Sequence, residues 1–309
     1  MEKIKGLTNS VNKGIVIALV ATLVPLVIVA GAGVGLGIAL SGLFSYETVN
    51  YEELTIDDYE PDHEALMKKY KETSPDKYFK TFKPDELANI ALDKVGEHQY
   101  FHSVAIGEVT AVMNVKQSIR SYLVKNNNNY FFENISHSTF VSLQKRFYQD
   151  ETKVDQYNGD YVDTEHAKWK DKVVESLDLK AFEEKWGRNY SRTSIFIISD
   201  KTTLEGSTVT PDGDNYVITL NLDPTTAVLR YVKQMVATSN LADPPKFNSM
   251  QLDITVDKDL NLIKTYTTEN YDVKSFGLTS KGTKAHLTET FYYDEVMELP
   301  DLQTDCSYQ

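Results

Sequence analysis

The sequence predicts an α+β protein, in which an N-terminal transmembrane helix precedes one large antiparallel β-sheet covered by helices. Three patterns lead to this prediction. Residues Gly14–Phe44 contain no charged side chain, which is typical of a membrane span. Between residues 102 and 157, short segments of alternating polarity are separated by turns, which favours an antiparallel meander because parallel strands need long crossovers. The stretches 84–95 and 224–238 carry apolar stripes at helical spacing.

The apolar segment is long enough to cross a bilayer, which takes about 20 residues. Pro25 lies inside it, and membrane helices tolerate such prolines. Three lysines precede the segment and acidic residues follow it, so we expect the N-terminus inside the cell and the main domain outside. A cleaved secretory signal is the alternative, because Ala30-Gly31-Ala32 fits a small-residue cleavage site. No cysteine follows closely, which excludes a diacylglycerol-anchored lipoprotein.

The anchor divides the chain into four predicted parts. These are a cytoplasmic tail (1–13), the anchor (14–44), an acidic stalk (45–62) and an extracytoplasmic α+β domain (63–309). Four glycines in the anchor form two overlapping G-x-x-x-G pairs, which can let two helices approach closely and self-associate; the alternative is a weakly hydrophobic C-terminal end of an anchor or signal. The pairs are Gly31 with Gly35 and Gly33 with Gly37.

Composition supports a location on a bacterial cell membrane with the domain outside. The chain has 32 Lys and Arg against 45 Asp and Glu, which gives a net charge of −13. Such a surface repels nucleic acid, whose binding depends on cationic side chains. Cys306 is the single cysteine, so no internal disulfide can form and the domain differs from small disulfide-rich secreted scaffolds.

Helices are predicted where an apolar stripe follows a start signal. Pro84 suits the first turn of the 84–95 helix, and the acidic residues after it favour the positive end of the helix dipole. Asp223 is a good N-cap for a helix over 224–238. Two further helices are predicted over 63–71 and 164–186.

The strand pattern predicts about ten or eleven strands, with four or five helices in all. The run TSIFIIS at 193–199 is apolar on both faces, so we expect a central strand there. In the last strand, Glu289 shares a face with Leu287 and Phe291. The predicted strands cover 102–113, 116–124, 129–135, 139–148, 152–157, 193–199, 203–210, 216–222, 250–256, 260–271 and 285–293.

No residue pattern predicts catalysis, a cofactor or a metal site. His98 and His102 have a metal-ligand spacing only on a helix, and here strand patterning begins, which separates them by about 13 Å. Asp257-Lys258-Asp259 imitates an EF-hand start, but the required glycine and the final acidic residue are absent. Nucleophile-elbow, P-loop, zinc-protease and dinucleotide motifs are also absent. We therefore expect a protein that is not an enzyme.

The order of elements resembles the bacterial lipoprotein-carrier superfamily typified by LolA and the mycobacterial LppX proteins. The resemblance spans about residues 84–297. It lies in the pattern of SVAIGEVTAVMNVKQSIRSYLVKNNNNYFFENIS and of YVITLNLDPTTAVLRYVKQM with the strands after it. It implies a curved, half-barrel-like sheet that encloses an apolar cavity under a helix. The chain departs from the lipidated members because it lacks the lipid-attachment cysteine.

Two functions follow as hypotheses. The first is a membrane-anchored binding protein that holds a lipid or other hydrophobic ligand between the sheet and helix 224–238. The second is an adhesion, scaffold or sensor ectodomain that binds a protein or glycan on its outside. For the first, the candidate lining residues are Ile218, Leu220, Val228, Val232, Met235, Leu252, Ile254 and Phe291; the alternative is that these side chains fill a solid core.

Overall fold

The computed structural model describes residues 48–302, except 112–114, 139–141, 240, 242, 276, 277 and 294. The predicted anchor Gly14–Phe44, its glycine pairs and Cys306 lie outside the described residues. Within the described part of the chain, none of the helices combines the length and the apolar character that a membrane crossing requires.

The domain is α+β and is built on one curved, open sheet of twelve strands whose neighbours pair antiparallel. Its spatial order is β6-β5-β4-β3-β2-β1-β12-β11-β10-β9-β8, and β7 pairs with β5 beside β6. The first and last strands therefore lie side by side in the middle of the sheet. The strands are β1 Tyr100–Thr110, β2 Lys116–Asn126, β3 Asn129–His137, β4 Ser142–Gln149, β5 Lys153–Tyr161, β6 Ala167–Trp169, β7 Glu175–Asp178, β8 Thr208–Asp212, β9 Asn215–Leu222, β10 Lys246–Val256, β11 Leu262–Ser275 and β12 Leu278–Tyr293.

The predicted antiparallel meander is confirmed, and polar residues shape two of the turns of the sheet. Asn127, with φ 54°, turns β2 into β3, a backbone region that asparagine tolerates. The Asp257 carboxylate accepts the backbone N–H groups of Asp259 and Asn261 and shapes the turn between β10 and β11. This stretch is therefore a hairpin turn, as its departure from the EF-hand pattern predicts.

Five α-helices accompany the sheet in the described residues. Two of them, α1 and α3, lie where the sequence predicts them, and two more overlap predicted helices in part. Helix α3 is opened by Pro84 and by the backbone N–H of Lys83, which donates to the Glu86 carboxylate at 2.8 Å. The helices are α1 His63–Glu72, α2 Tyr78–Thr81, α3 Pro84–Glu97, α4 Leu179–Trp186 and α5 Leu229–Ser239.

Helix α5 begins five residues later than predicted. Asp223 does cap a turn, since its carboxylate accepts the backbone N–H groups of Thr225 and Thr226. The chain then passes through turn conformation until Leu229. The cap signal was correct, but it marks a turn that precedes the regular helix.

The helix predicted over 164–186 is wrong in its first half. Residues 167–169 and 175–178 instead form β6 and β7, which pair with successive parts of β5. Asp178 is the true N-cap, because its carboxylate accepts the backbone N–H of Ala181 at 2.8 Å. Trp169, which suggested a helical stripe, is buried against the sheet with Ile135.

The central strand predicted over 193–199 is also wrong. This segment has no ladder partner and runs as irregular chain, although Ile197 and Ile198 are buried. Its apolar character on both sides comes from burial between the sheet and the helices. Periodicity does not distinguish such a buried connection from a central strand.

The main core lies on the face of the sheet that the helices cover, which we call the inner face. Side chains from nearly every strand meet α3 and α5 there, including Leu123, Phe147 and Leu252 with Ile90 and Val232. Burial of this apolar surface is the principal stabilising contribution to the fold.

The opposite, outer face is partly covered by residues 295–302. The buried Arg146 pairs with Glu133 at 2.6 Å and donates to the carbonyls of Asp301 and Leu302. The Tyr148 hydroxyl donates to the Pro300 carbonyl. The chain after β12 is thus held against the sheet by polar contacts.

Residues 48–62, in the predicted stalk, contact the domain. They form two short 3-10 turns, Tyr51–Glu53 and Ile56–Asp58. The Tyr51 hydroxyl donates to the Pro245 carbonyl at 3.0 Å, and Lys201 donates to the Asp58 carbonyl at 2.6 Å. The domain limits at residues 44 and 62 stay predictions.

Candidate functional site

Two adjoining cavities lie between the inner face and the chain that covers it. The inner cavity has a volume of about 130 Å³ and the outer cavity about 270 Å³. Leu92, Thr193, Ser194 and Phe196 line both, so these side chains stand between the two spaces. The inner cavity is also lined by Ser103, Ala105, Ser121, Leu123, Phe132, Arg188, Ile195, Tyr231, Leu252, Thr265, Thr267, Glu269, Leu287, Glu289 and Phe291.

Residues 187–198 form the wall opposite the sheet. Helix α4 ends at Gly187, whose φ is +60°. A Cβ at this position would overlap the backbone carbonyl of Arg230, so glycine allows α4 to end against α5. The next residues are held by Tyr190, whose ring stacks on Phe132 at 5.1 Å. The first residues of the wall are therefore held against α5 and β3.

The floor of the inner cavity comes from the centre of the sheet. Ala105 of β1 lies opposite Glu289 of β12, which lies opposite Thr265 of β11. In the next row, Leu287 of β12 lies opposite Thr267, which lies opposite Leu252 of β10. The pairing of β1 with β12 thus brings residues from the two ends of the domain into one floor.

One end of the inner cavity is formed by Glu289, Ser103 and Arg188. The Ser103 hydroxyl donates to Glu289 Oε1 at 2.6 Å. Burial raises the pKa of Glu289, while the Ser103 hydrogen bond and the Arg188 charge oppose that shift. This end therefore contains a carboxylate and a nearby guanidinium of opposite charge.

The other end is formed by Glu269 and Tyr231. The Tyr231 hydroxyl, on α5, donates to Glu269 Oε2 at 3.1 Å. Burial raises the pKa of Glu269 to about 7, against the smaller effect of this hydrogen bond. Glu269 lies opposite Ala285, four residues from Glu289 along β12. Strand geometry thus separates the backbones of the two acids by about 13 Å.

The outer cavity is more polar. The buried Arg230 forms an ion pair with Glu60 from the segment before α1, and burial lowers the pKa of Arg230 to about 10. His63 Nδ1 lies 2.8 Å from the Asp93 carboxylate. Residues just before α1 thereby close one side of this space against α3 and α5.

Of the eight side chains predicted to line a cavity, two do so in the structure and six belong to the core. Leu252 and Phe291 do line the inner cavity. The other six line neither of the two cavities, and five of them are buried in the main core while Met235 packs against it. Those six are Ile218, Leu220, Val228, Val232, Ile254 and Met235. Their role in ligand binding stays a prediction.

The polar residues of the inner cavity were not predicted as a site. Glu289 did give a signal, because it interrupts an otherwise apolar face between Leu287 and Phe291. Glu269 gave none, since its same-face neighbours along β11 include Thr265 and Thr267. Arg188 lies in irregular chain, where no periodic pattern assigns a side chain to a face.

The described residues contain no group of three or more His, Cys, Asp or Glu side chains arranged to hold a metal ion. His98 and His102 make separate ring contacts. The His98 ring lies 4.4 Å from that of Tyr293, and the His102 ring stacks on Tyr292 at 4.7 Å. Tyr292 and Tyr293 are successive strand residues and point to opposite faces.

Comparison with known proteins finds similar chains among solved structures alone. No protein-family model matches the chain, and no curated protein matches it. Among solved structures, it is similar to a LolA superfamily protein from Nitrosomonas europaea, with 11% identity, a TM-score of 0.28, and coverage of 71% of this chain and 97% of that one. It is also similar to a DUF1329 family protein from Desulfovibrio piger, with 10% identity, a TM-score of 0.28, and coverage of 70% and 93%.

A protein of the LolA superfamily, which the sequence pattern resembles, is among the similar solved structures. The proposals below rest on the residues of this chain.

The buried carboxyl of Glu269 predicts a specific dependence of stability on pH. Its pKa in the folded protein, about 7, exceeds the ordinary value of 4.5 expected in the unfolded chain. Protonated Glu269 therefore makes its full contribution to the free energy of unfolding below pH 4.5, and this contribution is lost as the pH rises through 7. Glu269→Gln cannot lose a proton. Relative to wild type, the variant should gain up to about 3 kcal/mol between pH 5 and pH 8.

Urea unfolding of both proteins at the two pH values measures this difference. Glu298→Gln, at an exposed position on the outer side, is the matched control and should show no such gain. An equal difference between Glu269→Gln and wild type at both pH values would show that Glu269 titrates normally.

Proposed function

We propose that this protein is a membrane-tethered, extracytoplasmic binding protein that holds a small amphiphilic ligand in the inner cavity. One observation carries the proposal. The inner cavity has mainly apolar walls, yet Glu269, Glu289 and Arg188 face into it. An apolar pocket with a few convergent polar groups is the usual form of a small-molecule site.

The fold does not need these charged groups for its core. Burying a charge is costly unless it is paired and hydrogen-bonded, and each carboxylate here accepts a single described side-chain hydrogen bond. Buried acids with raised pKa values are more frequent at functional sites than elsewhere. A ligand with a polar group that binds to these side chains would offset the cost of burying them.

The size of the inner cavity limits the ligand. Its volume of about 130 Å³ is below the roughly 300–1,000 Å³ of most ligand pockets, so a short apolar chain fits better than a complete lipid. The outer cavity adjoins it across Leu92, Thr193, Ser194 and Phe196. A larger ligand would extend into that space by displacing these side chains.

The tether in this proposal is the segment Gly14–Phe44, with the N-terminus inside the cell. Its support is the uncharged sequence, the lysines before it and the acidic residues after it. N-terminal sequencing of the chain extracted from bacterial membranes tests the tether. The proposal expects the sequence to begin at Met1 or Glu2, and a start near Gly33 would instead identify a cleaved signal.

The proposal assigns binding without turnover. The alternative, an ectodomain that binds a protein or glycan on its outside, stays a prediction. Exposed apolar and aromatic side chains are present on the outer face, at Ile106, Tyr266 and Tyr292. They are single residues on neighbouring strands, and such residues are common on protein surfaces.

A substitution that fills the inner cavity tests the binding function. Ala105 lies on the cavity floor and is 5% exposed, so Ala105→Leu projects a larger side chain into the space. We expect n-pentanol to bind the wild-type chain and to bind this variant at least about tenfold more weakly, a loss near 1.4 kcal/mol. Calorimetric titration of the full chain in phosphatidylcholine nanodiscs measures this, with empty nanodiscs as the blank.

The matched control is Ile106→Leu, on the next residue of β1 but on the outer face, where it should leave binding unchanged. Circular dichroism confirms that both variants fold. Equal binding of n-pentanol by wild type and a folded Ala105→Leu variant would exclude the inner cavity as the site.

A further inference from the structure

We propose that the inner cavity selects ligands that carry an amino group, and that the carboxylate of Glu269 binds this group. The apolar part of the ligand then lies along Leu252 and Leu287. This inference rests on the proposed function and adds the chemical class of the ligand. It follows from how charge is distributed between the two ends of the cavity.

The two carboxylates differ in their surroundings. Glu289 has a cation nearby, since the charge of Arg188 acts on it. At Glu269, no lysine or arginine among the described residues lies within 4.0 Å of the carboxylate, and its hydrogen-bond donor there is the neutral Tyr231 hydroxyl. A buried carboxylate needs a positive partner to remain ionised at low cost. The position beside Glu269 is therefore suited to a cation.

The net charge of the inner cavity also favours a cationic ligand. Two acids and one arginine face it, so it carries one net negative charge when both acids are ionised. An anionic ligand would be repelled by this net negative charge. It would also have to compete with Glu289 for Arg188. An uncharged ligand would leave Glu269 without compensation. An ammonium group, with three hydrogen-bond donors, compensates Glu269 directly.

The apolar residues between the two ends suit the remainder of the ligand. Leu287 lies between the rows of Glu269 and Glu289, and Leu252 lies in the same row as Leu287, beyond Thr267. The wall above contributes Ile195 and Phe196. An alkyl chain attached to the amine would extend along this surface, which gains from removing apolar area from water.

This assignment predicts that binding strengthens as pH rises. The groups that face Glu269 are Tyr231 from α5 and Tyr271 from β11, and burial raises the pKa of both tyrosines further above 10. Arg188 and Glu289 face the other end. Glu269, with a pKa of about 7, therefore controls the change between pH 6 and pH 8. Its ionised fraction rises about tenfold over that range, and amine affinity should rise similarly.

Three test compounds separate the effect of the charged group from that of the apolar chain. They share a five-carbon chain and are n-pentylamine, n-pentanol and pentanoate. The amine stays cationic and the acid stays anionic at both pH 6 and pH 8. Calorimetric titrations use the full chain in phosphatidylcholine nanodiscs, whose zwitterionic lipid does not concentrate either ion. The proteins are wild type, Glu269→Gln and the exposed control Glu298→Gln.

We expect n-pentylamine to bind wild type about tenfold more tightly than n-pentanol at pH 8, and pentanoate to bind most weakly. Glu269→Gln should remove both the preference for the amine and its pH dependence, while Glu298→Gln should retain them. The pH dependence in wild type tests the proposal independently if Glu269→Gln does not fold.

Two results would overturn the inference, and they differ in whether the proposed function survives. If n-pentanol binds but n-pentylamine binds no more tightly, or if amine binding is unchanged in Glu269→Gln, the ligand class is wrong and the proposed function remains. If none of the three compounds binds wild type, the proposed function fails with it.

Discussion

The antiparallel pairing of β1 with β12 is the constraint on which the rest of the structure depends. It places the two ends of the domain together at the centre of the sheet. The chain must then travel from the β6 edge to the β8 edge, and it does so through α4 and residues 187–203. Because the helices occupy the inner face, this connection is buried there and becomes the wall of the cavity. The strand order of the sheet and the wall of the cavity thus have a common origin.

Much of the fold could be predicted from local patterns, because they carry their own physical signal. The meander and helix α3 follow from alternation, turn residues and a proline start. The wrong predictions concern segments whose apolar residues reflect burial in the tertiary structure and not the period of a helix or strand. Residues 193–199 are apolar because they are enclosed, and they have no ladder partner. Residues 167–178 lie at an edge, where pairing with β5 outweighs a weak helical pattern.

The candidate site was harder to predict than the fold. Apolar alternation identifies core-facing positions but does not say which of them border a space, so it selected Leu252 and Phe291 together with residues that fill the solid core. Arg188 depends on the path of an irregular segment. Glu269 depends on α5 bringing Tyr231 above it. Both relations join residues distant in sequence, and only the folded chain shows them.

The central claim is that the inner cavity holds a small amphiphile. The most direct test is organic extraction of the full chain purified from the cells that produce it, followed by mass spectrometry of the extract. An unrelated protein purified in the same way from the same cells shows the background of bulk lipid. The account predicts a compound with a short apolar chain and a polar group, present near one per chain and enriched over that background. Identical compounds in identical proportions in the two extracts would contradict it.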